Sequence, residues 1–428
     1  MKTWIIKEQA LPVVRDWPRL PDQMLAGGRC RKGRTMSRKE HITAIPIVRA
    51  LAMIGVISVH STSQATVDMV DSSWYYLYNF FNIFFKYGTP TFILLSSFVL
   101  FYNYGGRDKL EPAVLGKFYR NRLLYVIIPY IVASIGYFLM QHMMYYRTRG
   151  FEDSIYSFFT KLLTGSAYTH LYFVFISIQF YILFPLMLKL FRSKTILAWS
   201  IPLGLLLQWG FVLWNKYDLQ IVNKGSFSLS YVSYYFLGAY VGLNFEKIRP
   251  WLTSLGQKGN PLRFRIGSLA LWGAWLLFAM LHVQVWFWSR STNEWTNSLV
   301  YEMLWNFHTL TSAIVLMQLA FFLERKLPDW LRKALMQLGD LSFGIYLLHP
   351  VFLALYRKYA WFGGGSLAYM LFIAGGYAVA IGLSWLVVYA AFRFIPFAWI
   401  GFGAVPRSFK AKRAPQKKPG SVTPGTSA

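Results

Sequence analysis

Long apolar runs separated by short polar segments make up most of this chain. Ten runs of roughly 18 to 25 mostly apolar residues lie near 43–63, 80–104, 123–144, 170–191, 195–214, 227–245, 266–288, 300–323, 341–357 and 367–392. A run of this length crosses a ~30 Å hydrocarbon core as an α-helix, because each residue advances about 1.5 Å. The pattern predicts an all-α integral membrane protein, a bundle of about ten transmembrane helices.

A shorter amphipathic segment lies between the third and fourth runs. Within residues 150–166, the apolar side chains Ile155, Phe158 and Leu162 recur at helical spacing. This pattern is typical of a helix that lies on a membrane surface with its apolar face towards the lipid. We therefore expect a short interfacial helix on the outer side.

Most of the 44 Lys and Arg residues lie on every second connecting segment of the predicted bundle. These basic segments are the N-terminal arm, 105–122, 189–194, 246–265, 324–337 and 393–428. By contrast, the loop between Ser61 and Tyr76 carries two acidic residues and no basic one. Because cytoplasmic loops are enriched in Lys and Arg, the pattern predicts that both termini are cytoplasmic.

The charge pattern divides the chain into three parts. We expect residues 1–40 to be a basic, disordered cytoplasmic arm, residues 41–395 to be the transmembrane domain, and residues 396–428 to be a basic, disordered cytoplasmic tail. The arm lacks the apolar stretch and small-residue cleavage site of a signal peptide. The chain is therefore expected to be a multi-pass protein of a bacterial plasma membrane.

Composition supports the membrane class and limits the partners. Apolar residues make up 55% of the chain and charged residues 14%, a balance that a soluble domain could not cover with polar surface. The net charge of +27 comes from short clusters rather than from one continuous stripe, which predicts affinity for anionic membrane lipids and not for nucleic acid. A single cysteine, Cys30, excludes an intramolecular disulfide framework and a cysteine metal site.

Arg49 and His60 are ionisable residues within the first apolar run, RALAMIGVISVH. Eleven helical steps of about 100° return to within about 20° of the start, so both side chains share one helix face about 16 Å apart. One interpretation is an arginine that reaches the inner headgroups and a histidine at the outer interface. The other is an anion-binding arginine and a proton-handling histidine that face one internal cavity.

Lys86 lies in the second run, just before Gly88 and Pro90 in FFKYGTPTFILLSS. A glycine and a proline this close together predict a break in the helix. Broken backbone at membrane depth is tolerated where it is buried in protein or lines a cavity. The alternative is a simple kink with Lys86 extended outwards.

Further polar positions could be structural or functional. His170 opens the fourth run, His308 lies in the eighth, and His349 ends SFGIYLLHP in the ninth. Each histidine taken alone is more often an interhelical hydrogen-bonding group than a ligand or a catalyst. The basic cluster with Lys117, Arg120 and Arg122 fits ordinary topology about as well as a phosphate site. No Walker loop, paired-cysteine motif or G-x-S-x-G is present.

The chain resembles the acyltransferase 3 family of membrane O-acyltransferases over about residues 40–395. The resemblance rests on the R-x10-H pair of the first run, YGTPTFILLSSFVL, RNRLLYVIIPY, HLYFVFISIQFYILFPL, YYFLGAYVGLNFE and SFGIYLLHP, in this order. Within the family, the chain is most similar to the acyltransferase-like proteins of intercellular-adhesion polysaccharide operons. Those proteins have been interpreted both as glycan exporters and as glycan O-succinyltransferases.

The resemblance implies transfer of an acyl group, acetyl or succinyl, from cytoplasmic acyl-CoA to a hydroxyl of a cell-surface glycan or a lipid-linked saccharide. It implies a catalytic role for His60, as general base or as acyl carrier, and a supporting role for Arg49. His170 and His349 are expected to bind substrate. Acyl-CoA is expected as a substrate, with no tightly bound cofactor and no metal. The alternative is an exporter of a cell-surface polysaccharide without catalytic activity.

The resemblance leads to one further expectation, and the chain departs from the family pattern at the same place. The donor phosphates cannot enter hydrocarbon, so they should stay at the inner face near Lys117, Arg120 and Arg122. Here the chain departs from the family's R-x-x-R pattern, because Arg120 and Arg122 are separated by Asn121 alone.

Overall fold

The computed structural model describes residues 40–107, 111–145, 151–360 and 365–409. Almost all of the predicted basic arm, and residues 410–428 of the predicted tail, lie outside these ranges. The described residues are helical and contain no β-strand. The predicted all-α class is therefore confirmed for this part of the chain.

The first half of the fold begins at α1 and ends at α10. Its helices are α1 (Ala44–Thr62), α2 (Ala65–Asp68), α3 (Tyr75–Phe84), α4 (Gly88–Tyr104), α5 (Pro112–Arg122), α6 (Ile128–Tyr145), α7 (Phe151–Thr164), α8 (Tyr172–Leu190), α9 (Lys194–Ala198) and α10 (Ser200–Trp214). A π-helical turn, Leu123–Ile127, joins α5 to α6. The predicted amphipathic helix is present as α7, whereas its position on the membrane surface stays a prediction.

The second half contains the remaining helices. They are α11 (Val232–Leu243), α12 (Phe245–Leu252), α13 (Leu262–Thr292), α14 (Ser298–Lys326), α15 (Asp329–Asp340), α16 (Ser342–Tyr359), α17 (Ser366–Phe394) and α18 (Trp399–Phe402). Short 3-10 turns at Lys224–Ser226 and Ser228–Tyr231 precede α11.

Among the described residues, seven helical segments are long and apolar enough to cross a membrane, or eight if the pair α15 and α16, bent by 79°, forms one span. The predicted runs 195–214 and 227–245 correspond to α10 and α11, which have 15 and 12 residues and are shorter than the other spans. The structure confirms a multi-spanning helical protein. A total of ten spans and the cytoplasmic location of the termini stay predictions.

Helix α1 lies at the centre of the bundle, where it contacts α3, α4, α14, α15, α16 and α17. Small residues make this close packing possible, as is usual between helices in membranes. A Cβ atom on Gly88 would lie 2.5 Å from a methyl carbon of Val56 and 2.8 Å from the carbonyl oxygen of Ala52. The break between α3 and α4 is therefore seated directly against α1.

Part of the predicted disordered tail is folded. Residues 399–402 form α18, and Phe409 is buried with its ring centroid 5.3 Å from that of Tyr389. The prediction of disorder from residue 396 is therefore wrong as far as residue 409. The physical reason is that Phe409 packs on Tyr389 and Phe392 of α17 and that α18 contacts α6 and α16, which the basic composition of the whole tail concealed.

Candidate functional site

Arg49 and His60 both lie on α1, which is unbroken between them. An unbroken helix preserves the eleven-residue spacing and so keeps both side chains on one face. Both residues are half-buried. They occupy opposite ends of the helix and line two different cavities.

Three histidines from distant parts of the chain meet at the C-terminal end of α1. The ring centroid of His60 lies 5.2 Å from that of His349 on α16 and 6.5 Å from that of His170, in the turn before α8. The His170 and His349 centroids are 5.6 Å apart. Both residues are fully buried. The structure therefore brings together three residues that the sequence analysis named separately.

Hydrogen bonding assigns a tautomer to His349. Its Nδ1 atom lies 2.8 Å from the carbonyl oxygen of Tyr346 and 3.3 Å from that of Ile345. A carbonyl oxygen only accepts, so the neutral ring must carry its proton on Nδ1. The Nε2 atom then holds a lone pair, and it has no hydrogen-bond partner among the described residues. His349 can accept a proton or a hydrogen bond through this atom.

A cavity of about 300 Å³, here called the His60 cavity, opens beside this cluster. Its lining combines aromatic rings, hydroxyl groups and two basic side chains. The polar and aromatic residues are His60, Phe85, Lys86, Thr89, Thr169, Tyr172, Tyr231, Trp305 and Tyr346. Flat aromatic faces with scattered hydroxyl donors form a surface suited to a polar ring such as a sugar.

A second cavity, of about 260 Å³ and here called the Arg49 cavity, lies at the other end of α1. Its polar lining comprises Arg49, Ser96, Arg122, Tyr125, Ser177, Tyr181, Asp340, Ser342 and Tyr346. Asp340 interacts electrostatically with Arg49, and the Arg122 guanidinium carbon lies 4.4 Å from the Tyr181 ring centroid. Two guanidinium groups in one cavity provide strong anion recognition.

Arg122 is the one member of the predicted phosphate cluster that lines this cavity. Lys117 and Arg120 are exposed on α5 and do not contribute to the lining. Their predicted role in binding the donor stays a prediction, limited to an approach at the surface of α5.

Tyr346 is the residue that the linings of the two cavities share. Its hydroxyl donates to the carbonyl oxygen of His170, and its ring contacts Phe173 with centroids 5.2 Å apart. The ring is almost fully buried. Tyr346 therefore forms the wall between the Arg49 cavity and the His60 cavity.

Two site residues were missed by the sequence analysis. Arg357 donates from one terminal nitrogen to the carbonyl oxygens of His60 at 2.7 Å and Ser61 at 3.1 Å, so it caps the last turn of α1. Asp340 lines the Arg49 cavity from the end of α15. Both residues lie at the ends of apolar runs, where a charge is usually assigned to the interface, so the pattern contains no signal for either.

The break that was predicted near Gly88 is present between Phe84, where α3 ends, and Gly88, where α4 begins. Lys86 lies within it and lines the His60 cavity. Of the two interpretations of this segment, the geometry favours a break that lines a cavity.

His308 belongs to a separate polar cluster. Its Nδ1 atom lies 3.1 Å from Nδ1 of His282, and the indole nitrogen of Trp286 donates to Nε2 of His282 at 3.1 Å. In the described part of the chain, no group of three or more His, Cys, Asp or Glu side chains has an arrangement that would hold a metal ion.

Apolar membrane-length helices around a buried histidine cluster define the class, a multi-pass membrane protein. Residues 42–389 match the family described as an acyltransferase domain. The chain therefore belongs to this acyltransferase family, which confirms the family that the sequence motifs indicated.

The chain is also similar to curated proteins of staphylococci. It is 24% identical over 337 residues to a Staphylococcus epidermidis protein named "Probable poly-beta-1,6-N-acetyl-D-glucosamine export protein". This match covers 74% of this chain and 82% of that protein. A Staphylococcus aureus (strain MW2) protein of the same name is 27% identical over 181 residues, or 39% of this chain and 46% of that protein. No solved structure matches the chain.

Proposed function

We propose that this protein is a membrane-bound O-acyltransferase. It moves an acetyl or succinyl group from cytoplasmic acyl-CoA to a hydroxyl of a cell-surface glycan or a lipid-linked saccharide, in a bacterial plasma membrane. The observation that carries the proposal is the placement of Arg49 and His60 in two cavities that meet at Tyr346. Membership of the acyltransferase family supports the reaction class.

The Arg49 cavity receives the donor in this proposal. Coenzyme A carries phosphates whose burial in hydrocarbon would be costly, so they stay at the membrane surface, near the exposed side chains of Lys117 and Arg120. Arg122 and Arg49 then line the path of the pantetheine arm. The thioester arrives next to Tyr346, and the bilayer is crossed by the thin arm or by the acyl group alone.

The His60 cavity receives the acceptor. Tyr172, Tyr231 and Trp305 offer faces for a sugar ring. A sugar hydroxyl is a poor nucleophile while it keeps its proton, and an imidazole is the side chain best matched to removing that proton near neutral pH. His60 acts as the general base. His170 and His349 bind the substrate and fix the orientation of the His60 ring.

The acyl group passes directly from the donor to the acceptor. The acceptor oxygen attacks the thioester carbonyl, a C–O bond forms, and the C–S bond breaks. The proton that His60 takes from the hydroxyl passes to the departing thiolate. An acyl-imidazole on His60 is the second route, which would give two transfer steps in place of one.

The test compares His60→Gln with the parent chain in membranes that receive labelled acetyl-CoA or succinyl-CoA and a cell-surface glycan extract. General-base catalysis contributes about 10²- to 10⁴-fold, so transfer of label should fall by at least about a hundredfold. His142→Gln is the matched control, because this histidine lines neither cavity, and it should transfer label like the parent. Undiminished transfer by His60→Gln would exclude the catalytic role of His60.

The alternative function is export of a polysaccharide, and the names of the staphylococcal relatives are the observation that favours it. A polymer would need a continuous passage through the wall at Tyr346. If the parent transfers label from neither donor, and deletion of its gene traps glycan inside the cell, the exporter function replaces the enzymatic one.

A further inference from the structure

Lys86 lines the His60 cavity, and no described residue pairs with it as a group of opposite charge. It lies in the break between α3 and α4, and its ammonium nitrogen is 4.4 Å from the ring centroid of Trp286. Within the described part of the chain, Lys86 forms no ion pair and no side-chain hydrogen bond, and none of the residues that line the His60 cavity is a carboxylate. The charged residue that acts on Lys86 is Arg290, which has the same sign.

Neutral groups fix both cations in place. Arg290 donates to the side-chain oxygens of Asn79 at 2.9 Å and Asn82 at 3.3 Å, and its guanidinium carbon lies 4.7 Å from the Trp286 ring centroid. Trp286 is itself oriented by its hydrogen bond to His282. Two like charges thus share one aromatic ring.

The nearby carboxylate of Glu302 is already paired with Lys224 at 2.8 Å, and it does not line the His60 cavity. Like charges in a partly desolvated site repel each other, and the repulsion is relieved when an anion binds between or beside them. Within the residues that the structure describes, the fold therefore supplies two oriented cations and no carboxylate in the lining of the His60 cavity to balance them.

We propose that Lys86 forms an anion subsite of the His60 cavity, which binds a carboxylate or phosphate group carried by a substrate. This inference rests on the proposed function for its place in the reaction. The anion has two possible sources: the free carboxylate of a dicarboxylic acyl group, or a charged group on the acceptor saccharide. Either source places a negative charge close to the base that activates the hydroxyl, so the subsite selects the substrate as well as orienting it.

The test measures binding to the purified full-length protein by titration calorimetry with two matched pairs of probes. Succinate is compared with succinamide, and N-acetylglucosamine 1-phosphate is compared with N-acetylglucosamine. A hydrogen bond to a charged group corresponds to about tenfold or more in affinity, so one anion should bind at least about tenfold more tightly than its neutral partner. The pair that shows the preference identifies the source of the anion.

Variants then assign that preference to Lys86. Lys86→Met should abolish it, and Lys86→Arg should retain most of it. Lys358→Met is the matched control, because Lys358 is exposed on α16 and lines neither cavity, so the preference should be unchanged. Lys86→Gln replaces Lys86→Met if the latter does not purify as a monodisperse protein.

Two results would overturn the subsite. One is a parent protein that binds neither anion more tightly than its neutral partner. The other is a neutral Lys86 variant that keeps the preference. Because binding is measured without transfer, a protein that shows the preference but transfers no acyl group would contradict the proposed function and leave the subsite intact.

Discussion

Arg49 and Arg122 reach one cavity from two helices, and each is held in a different way. Arg49 faces the carboxylate of Asp340, whereas Arg122 stacks on Tyr181. A guanidinium group is planar and presents its donors as a fork, which suits both a carboxylate and an aromatic face. A lysine at either position would keep the charge and lose that geometry.

We therefore expect Arg49→Lys to raise the KM for acyl-CoA by about tenfold or more, because the planar fork of donors that faces Asp340 and lines the path of the donor is lost. Arg122→Lys should have a similar effect through loss of stacking. Steady-state kinetics at saturating acceptor would measure both. Arg263→Lys is the control, since Arg263 is exposed at the start of α13 and lines neither cavity. An unchanged KM in both variants would argue against donor binding in the Arg49 cavity.

Residue by residue, the sequence could indicate only what depends on local spacing. The common face of Arg49 and His60 follows from eleven helical steps. The capping of α1 by Arg357 does not, because it joins residues 297 positions apart. Nor does the wall formed by Tyr346, whose position depends on how α16 packs against α1, α6 and α17. These contacts are set by tertiary packing, which leaves no periodic trace in the chain.

At the level of elements, α15 approaches α1 closely just before its bend with α16. A Cβ atom on Gly339 would lie 1.7 Å from the carbonyl oxygen of Pro46, a distance that rigid backbone cannot accommodate. Asp340 follows directly and ends α15. The close approach of α15 to α1 therefore lies directly beside the carboxylate that interacts with Arg49.

Gly339→Ala should destabilise the protein by about 1–3 kcal/mol, the usual cost of overpacking, because α15 must move away from α1. Thermal unfolding in detergent would report this as a lower Tm. Gly382→Ala on α17 is the control, since a Cβ there meets no atom within 4 Å, and it should be neutral or stabilising. Equal Tm values for the two variants would contradict the close approach.

The apolar runs predicted where helices lie better than where they stop. The run 195–214 is divided at Trp199, between α9 and α10, and the run 227–245 begins with a 3-10 turn before α11. Hydropathy averages over such breaks, since a helix end inside a protein can be as apolar as its middle. Apolar runs alone therefore do not determine the number of spans.

For the whole molecule, the number of membrane crossings determines whether the two termini lie on the same side of the membrane. An even number of crossings returns the chain to the side where it began, whereas seven crossings would place the termini on opposite sides. The excess of basic residues on alternate segments predicts that both termini are cytoplasmic. Because Cys30 is the single cysteine, one introduced cysteine at a time can be followed in a Cys30→Ser background.

We expect a membrane-impermeant maleimide to leave Cys30 unlabelled in intact cells. Ser408→Cys in the Cys30→Ser background should be equally protected, and both should react once the membrane is permeabilised. Glu294→Cys in the same background is the accessible control, since Glu294 is exposed between α13 and α14. Labelling of one terminus alone in intact cells would show an odd number of crossings and contradict the predicted topology.

The π-helical turn at Leu123–Ile127 divides one continuous helix into a part that lines the Arg49 cavity and a part that contacts His170. It accommodates an additional residue in its turn relative to an α-helix, so it shifts the phase of everything that follows. Arg122, just before the turn, and Tyr125, within it, line the Arg49 cavity, whereas Tyr137, beyond the turn, contacts His170 at a centroid distance of 5.0 Å. The change of phase lets one continuous helix present side chains to two sites whose relative angle an unmodified α-helix would not match.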